Sequence, residues 1–237
     1  MIKKVLLVLF CFQLVACDPA ALQRTLDALG SMELSSAEVS SGLKEALEIG
    51  IGKGSEALAK RDGYYKGAYK ILLPPEAKKV ADKLRNVPGF TNLEDRILEK
   101  INRGAEDAAK KAKPIFVDAI RQMTFSDAMN ILLGEQNAAT SYLNRTTSDK
   151  LYQAFNPVIV QSLDKFDARK YWSDAVNAYN KIPFVEKANP DLDDYVTKQA
   201  LNGLFGMVES EELNIRTNIA ARTSDLLKKV FARQDKK

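Results

Sequence analysis

From residue 35 onward, the apolar side chains of this sequence recur at steps of three and four, and nowhere do they alternate with polar ones over a sustained run. That spacing gathers apolar groups on one face of an α-helix, whereas a half-buried strand needs a period of two. It predicts a first long helix over "SSAEVSSGLKEALEIGIGKGSEALAKRDG", capped by Ser35 or Ser36 and ended by Gly63. Leu43, Leu47, Ile51, Gly54 and Leu58 form its inner face. "YYKGAYKILLPPE" breaks the pattern, and Pro75 is suited to open the next helix. "PGF" closes that helix, and Asn92 caps a longer one lined by Ile97, Ile101, Ala105, Ala108 and Ala112. Pro114 restarts or kinks it, and Ile115, Phe116, Ala119, Ile120 and Met123 continue the stripe. Further helices are predicted over "DAMNILLG" (capped by Ser126, closed by Gly134) and "FNPVIVQSL" (capped by Asn156, with Pro157 in its first turn). Three more follow: "YWSDAVNAYNKIPF", a central buried helix "YVTKQALNGLFGMV", and "RTSDLLKKVFARQ". The expected fold is all-α, an irregular bundle of roughly eight to ten helices without significant β-sheet, occupying residues 35–237.

Two residue types decide which chemistry is open to such a bundle. The chain has no histidine. That removes the usual general base near neutral pH, the Ser-His-Asp triad, histidine-ligated zinc and the Glu-x-x-His di-iron sites of helical bundles. It has two cysteines, Cys11 and Cys17, both near the N-terminus.

That N-terminus reads as an address. Lys3 and Lys4 precede eight unbroken apolar residues, Val5–Phe12, far fewer than the roughly 20 a membrane-spanning helix needs. A basic start and a short apolar run describe a secretory signal. Its end, "LVAC" (Leu14–Cys17), resembles the lipobox of bacterial lipoproteins. The resemblance implies that Cys17 receives a diacylglycerol, that residues 1–16 are cut away, and that the new N-terminus is acylated, for example with palmitate. An ordinary signal peptide with a cysteine at its cleavage site, or an uncleaved anchor, is the other reading. On the lipoprotein reading the remaining domain has no thiol, so disulfides and thiol catalysis are excluded together. Residues 17–34 form a tether or first helix. Asp18 resembles the inner-membrane retention signal of enteric lipoproteins, a rule other phyla do not follow. Removing Lys3 and Lys4 takes the formal charge from +4 to +2, which gives no reason to expect nucleic acid as a partner.

Few constellations carry chemistry. "GIGKGSE" lacks the Ser or Thr that must follow the lysine of a phosphate-binding loop, and its setting is helical, so close helix packing accounts for its glycines. In "NPDLDDY", Asp191, Asp193 and Asp194 fit either an oxygen-rich cation site or, as the expectation here, acids at a helix N-terminus. Asn102, Arg103 and Glu106 lie on the long helix, where Arg103 has Glu99 and Asp107 one turn away on either side. The expected arrangement is a solvated face with weak ion pairs. The sharper alternative is a partly buried polar cluster that fixes helix register or contacts a ligand.

The order "GLKEAL", "LPPEA", "NRGAEDAAKKAKPIFVDAI", "DAMNILLGEQNAATSYL", "ALNGLF" and "IR…ARTSDLLKKVF" resembles the bacterial domain-of-unknown-function family 4197 from about Leu43 to the C-terminus. The resemblance implies an exported helical protein of Gram-negative bacteria and brings no activity, cofactor or catalytic residue. Three function classes are weighed. The leading expectation is a non-enzymatic, lipid-anchored envelope protein that binds a partner or supports the envelope. A carrier holding an apolar small molecule between helices draws on Tyr142, Tyr152, Phe155, Trp172, Tyr179 and Phe205. A hydrolase using carboxylates alone comes last, because no spacing singles out a pair. No cofactor, metal site or catalytic residue is expected.

Overall fold

The computed structural model describes residues 35–90, 93–165 and 167–232. The expected signal segment, Cys17, Asp18, the expected tether or first helix over residues 17–34 and the expected Asn92 cap lie outside the described residues, as do residues 233–237. Nine α-helices and one 3₁₀ turn, with no strand, make up the secondary structure among the described residues: α1 (Ser36–Ala59), α2 (Ala77–Leu84), α3 (Leu93–Ala109), α4 (Ala112–Gln122), α5 (Phe125–Leu133), α6 (Ala138–Asp164), α7 (Ala168–Asn180), α8 (Leu192–Thr217), the 3₁₀ turn Ile219–Ala221, and α9 (Asp225–Phe231). The fold is all-α, in agreement with the periodicity.

Helix α1 starts where the sequence points. Ser35 accepts from the Glu38 N–H, and Glu38 accepts from the Ser35 N–H, so both ends of the first turn are satisfied. It stops at Ala59, four residues before Gly63. Its glycines serve packing: a Cβ on Gly54 would sit 2.9 Å from Met207 Cγ of α8. The break between α3 and α4 falls at Lys110–Lys111, just ahead of Pro114. The cap of α5 is Thr124, which forms a capping box with Asp127, and not Ser126, which lies inside the first turn.

The largest departure from the sequence reading concerns Pro157. Residues 138–164 form one helix that runs through it, so Pro157 opens no helix and Asn156 caps none. An interior proline costs about 3 kcal/mol. Leu143, Thr147, Leu151, Phe155, Ile159 and Leu163 are all buried along α6, so the stripe continues on both sides of the proline. Burying Ile159 and Leu163 is worth about 1.5–3 kcal/mol each, which matches or exceeds that cost. At 100° per residue, a four-residue step also drifts about 40° around the helix each time. The stripe therefore winds around α6, which packs against α3 as well as α8.

The core draws on every helix. Trp172, Phe116, Phe155 and Ile101 are fully buried, as is Tyr64 from the segment between α1 and α2. No described helix is long and apolar enough to cross a membrane.

Candidate functional site

Residues 60–76 contain no helix or strand, yet Tyr64 and Ile71 lie in the core. Buried amides and carbonyls outside regular structure need partners. Helix α3 supplies them. Asn102, fully buried, accepts from the Ile71 N–H (2.8 Å) and donates to the Ile71 carbonyl (2.8 Å) and to the Leu98 carbonyl (2.8 Å). Its side-chain amide thus exchanges two bonds with residue 71, as a neighbouring strand would. Glu106 Oε1 accepts from the backbone N–H groups of Tyr64 (3.3 Å) and Tyr65 (3.1 Å). Tyr64 Oη donates across the core to the Ala200 carbonyl of α8 (2.7 Å). Tyr69 lies against α8 where a Cβ on Gly206 would come within 2.6 Å of its ring.

Arg103 ties this clamp together. Its guanidinium reaches Glu106 (2.8 Å), Asp62 (2.7 Å) and Glu99 (3.3 Å), and lies 5.0 Å from the centre of the Tyr65 ring. Its charge is held above the ordinary arginine range by the Glu106 bond first and then by Asp62, with burial opposing. Asp62 is lowered by the bond from Arg103 and then by Lys66. The expected solvated face is corrected: Asn102 and Glu106 are buried, and the Arg103 side chain is 18% exposed. Asp107 pairs with Lys110 and not with Arg103.

Above the clamp runs an open groove of about 800 Å³ between α3 and α6. Glu99, Lys100, Arg103 and Asp107 form one wall and Val158, Gln161, Ser162 and Lys165 the other, with Arg61 at one end. Glu99 and Asp107 are eight residues apart on one helix, so their backbones are separated by about 12 Å along the axis.

The family described as "Protein of unknown function (DUF4197)" matches residues 33–232. The chain belongs to this family. Comparison with curated proteins and with solved structures finds no match.

A second buried polar centre escaped the sequence reading. Glu212 of α8 accepts from the N–H groups of Ala139 (3.0 Å) and Thr140 (2.8 Å) at the start of α6. Arg216, one turn on, pairs with Glu212 (2.8 Å) and donates to the Ile131 carbonyl (2.8 Å) near the end of α5. An acid thus meets a helix N-terminus and a cation a helix C-terminus, each with the favourable sign. Arg222 donates to the Ile215 and Arg216 carbonyls as α8 ends, and stacks over Phe231. Glu212 continues the stripe Leu201, Leu204, Val208, which was the available signal.

The three aspartates are all engaged at the start of α8. Asp191 caps it through the Asp194 N–H, and Asp193 holds Arg169. Asp194 accepts from Tyr152 and pairs with Lys198. The Asp194 bond, followed by burial, pushes Tyr152 up to about 12. Among the described residues, no cluster of three or more His, Cys, Asp or Glu side chains is placed to hold a metal ion. Phe155, Trp172, Tyr179 and Phe205 are buried in the core, while Tyr142 and Tyr152 are partly buried against it. An apolar cavity bounded by Leu43, Leu47, Ile215 and Phe231 measures about 20 Å³, room for one water-sized group.

Proposed function

We propose that this protein is a lipid-anchored, non-enzymatic binding module of a Gram-negative cell envelope, facing the periplasm and presenting the α3–α6 groove to its partner. The observation that carries the binding role is the construction of that groove. Arg103, on its α3 wall, is fixed by Glu106, Asp62 and Glu99, while Arg61 and Gln161 stand exposed at its rim. A rigid base under adaptable polar side chains lowers the ordering cost of binding. The carboxylates brought closest together, Asp62, Glu99 and Glu106, are all paired with Arg103, which favours binding over hydrolysis. The 20 Å³ apolar cavity gives little support to a lipid or quinone carrier.

The anchor rests on "LVAC" behind a basic start and eight apolar residues, upstream of a family match that begins at residue 33. Acyl chains on both the thiol and the amine of Cys17 would hold the domain durably, since two lipid signals are enough where one is marginal. Asp18 favours the inner membrane if the enteric rule applies. Intact-mass analysis of membrane-extracted protein tests the anchor. An acylated N-terminal Cys17 is expected, and an unmodified Cys17 or another start refutes it. A photo-crosslinking residue at Gln161 in intact cells tests the groove. A discrete adduct is expected there and not at exposed Ser141, about 30 Å away on the same helix. Adducts at both positions, or at neither, contradict the reading.

A further inference from the structure

The loop between α7 and α8 carries the most exposed large apolar side chain among the described residues. Phe184 is 107% exposed, so its ring stands wholly in solvent. Pro183 and Phe184 form the tip of a turn, and Phe184 has φ 63°, a conformation that turns give to glycine or asparagine and that strains a bulky residue. The chain thus holds an aromatic ring in water on a strained backbone, with no packing in return. The rest of the loop is tied down. Asn180 accepts from the Ala188 N–H (2.9 Å) and donates to the Ala188 carbonyl (3.0 Å), closing the loop at its base. Ile182 and Val185, on either side of the tip, pack against the core. Glu186 pairs with Lys79 in the first turn of α2 (2.8 Å). That pair brings Lys78 and Lys79 to the loop, where Lys181 and Lys187 flank the tip, and all four lysines are exposed. Against them stand Glu76 and Glu186, while Lys187 donates to the Asn180 carbonyl, a group without net charge.

We propose that this loop is a second membrane contact, in which Phe184 inserts at the headgroup boundary of an anionic bilayer while Lys78, Lys181 and Lys187 meet the lipid phosphates. An aromatic ring leaves water at such a boundary, and lysines around it gain from the negative surface, so the ring and its surround favour the same partner. The tied-down base presents the ring without further ordering of the loop. With Cys17 as the anchored end, residues 18–34 span at most about 60 Å, which keeps the domain beside that surface. The inference goes beyond the groove and uses the proposed anchor only to bring the domain to the bilayer.

Full-length protein carrying Phe184→Trp, reconstituted in vesicles of phosphatidylethanolamine and phosphatidylglycerol, tests it by indole fluorescence. Phospholipids brominated near the headgroup end of the acyl chain should quench the introduced indole, and those brominated near the chain terminus should quench it less. The wild-type protein, whose Trp172 is buried, should lose no emission. Added salt, or Lys78→Glu with Lys181→Glu, should reduce the quenching. Phe184→Gly should hold Tm or raise it by up to about 4 °C, since the ring packs against nothing and glycine relieves the backbone. A fall in Tm with that variant would mean that Phe184 supports the fold, and would overturn the proposal. Flotation with the vesicles but no quenching overturns this proposal alone and leaves a protein pocket as the occupant of the tip. A chain that fails to float overturns the proposal and the anchor together. Quenching indifferent to salt and to the lysine reversals overturns the anionic-lipid assignment.

Discussion

Replacing Arg103 with alanine separates a clamp from a decorative ion-pair network. Three carboxylates contact its guanidinium, but they differ in exposure. Glu99 is 40% exposed, so its pair contributes at most about 1 kcal/mol. Glu106 is different, because its side chain is only 5% exposed. Removing the cation leaves a buried carboxylate, for which the usual cost is about 3–5 kcal/mol. The two backbone N–H groups that still reach Glu106 moderate this, so a loss of about 2–3 kcal/mol is expected. For a chain of this size that corresponds to roughly 4–12 °C in Tm. Urea unfolding of Arg103→Ala, Glu106→Gln and the double variant measures it. Once Glu106 is neutral, the arginine has less to compensate, so the double variant should lose clearly less than the sum of the singles. A loss below about 1 kcal/mol for Arg103→Ala, or strict additivity, would refute the clamp.

Glu212→Ala should cost about 3–5 kcal/mol in the same assay, because it strands Arg216 and two helix N–H groups in the core; a change under about 1 kcal/mol would show that the α5–α6 junction does not depend on it. Gly104→Ala should raise stability by about 0.5–1 kcal/mol. Its Cβ would meet Ser162 Cβ at 3.5 Å, an ordinary contact, so a fall in Tm would mean that α3 and α6 approach more closely than that. Stability should be flat between about pH 5.5 and 7, since the chain has no histidine. Below about pH 4 it should fall. Glu38 (held by Ser35), Asp62 (Arg103), Asp127 (Thr124) and Asp194 (Lys198) are all lowered in the fold, so the unfolded chain binds protons first as the pH drops. A midpoint that rises on acidification would contradict the sign.

The helical stripes were legible because burial on a helix repeats every three or four residues whatever the helix packs against. Ile97, Ile101, Ala105 and Ala108 are buried as their spacing required. Pro157 misled because proline acts through a local rule, while the helix around it is held by partners remote in sequence. The polar residues were read less well for the same reason. An i, i+4 pair such as Glu212 and Arg216 looks alike on a wet face and in a core. The signal lay in their neighbours: Asn102 and Glu106 occupy a helical line between Leu98 and Ala109, both apolar. Asp62 as a partner of Arg103 was out of reach, because it depends on the path of a segment 41 residues away. The groove was equally hidden, since its lining comes from α3, from the end of α6 and from Arg61, segments far apart in the chain.

Amide hydrogen exchange in residues 60–76 tests most directly whether α3 side chains hold this segment. The N–H groups of Tyr64, Tyr65 and Ile71 donate to Glu106 and Asn102. They should exchange as slowly as helical core amides, although they lie in no helix or strand. Glu106→Ala should release Tyr64 and Tyr65 to fast exchange while Ile71, held by Asn102, stays protected. Fast exchange of all three in the wild-type protein, or Tyr64 and Tyr65 unchanged by Glu106→Ala, would contradict the clamp.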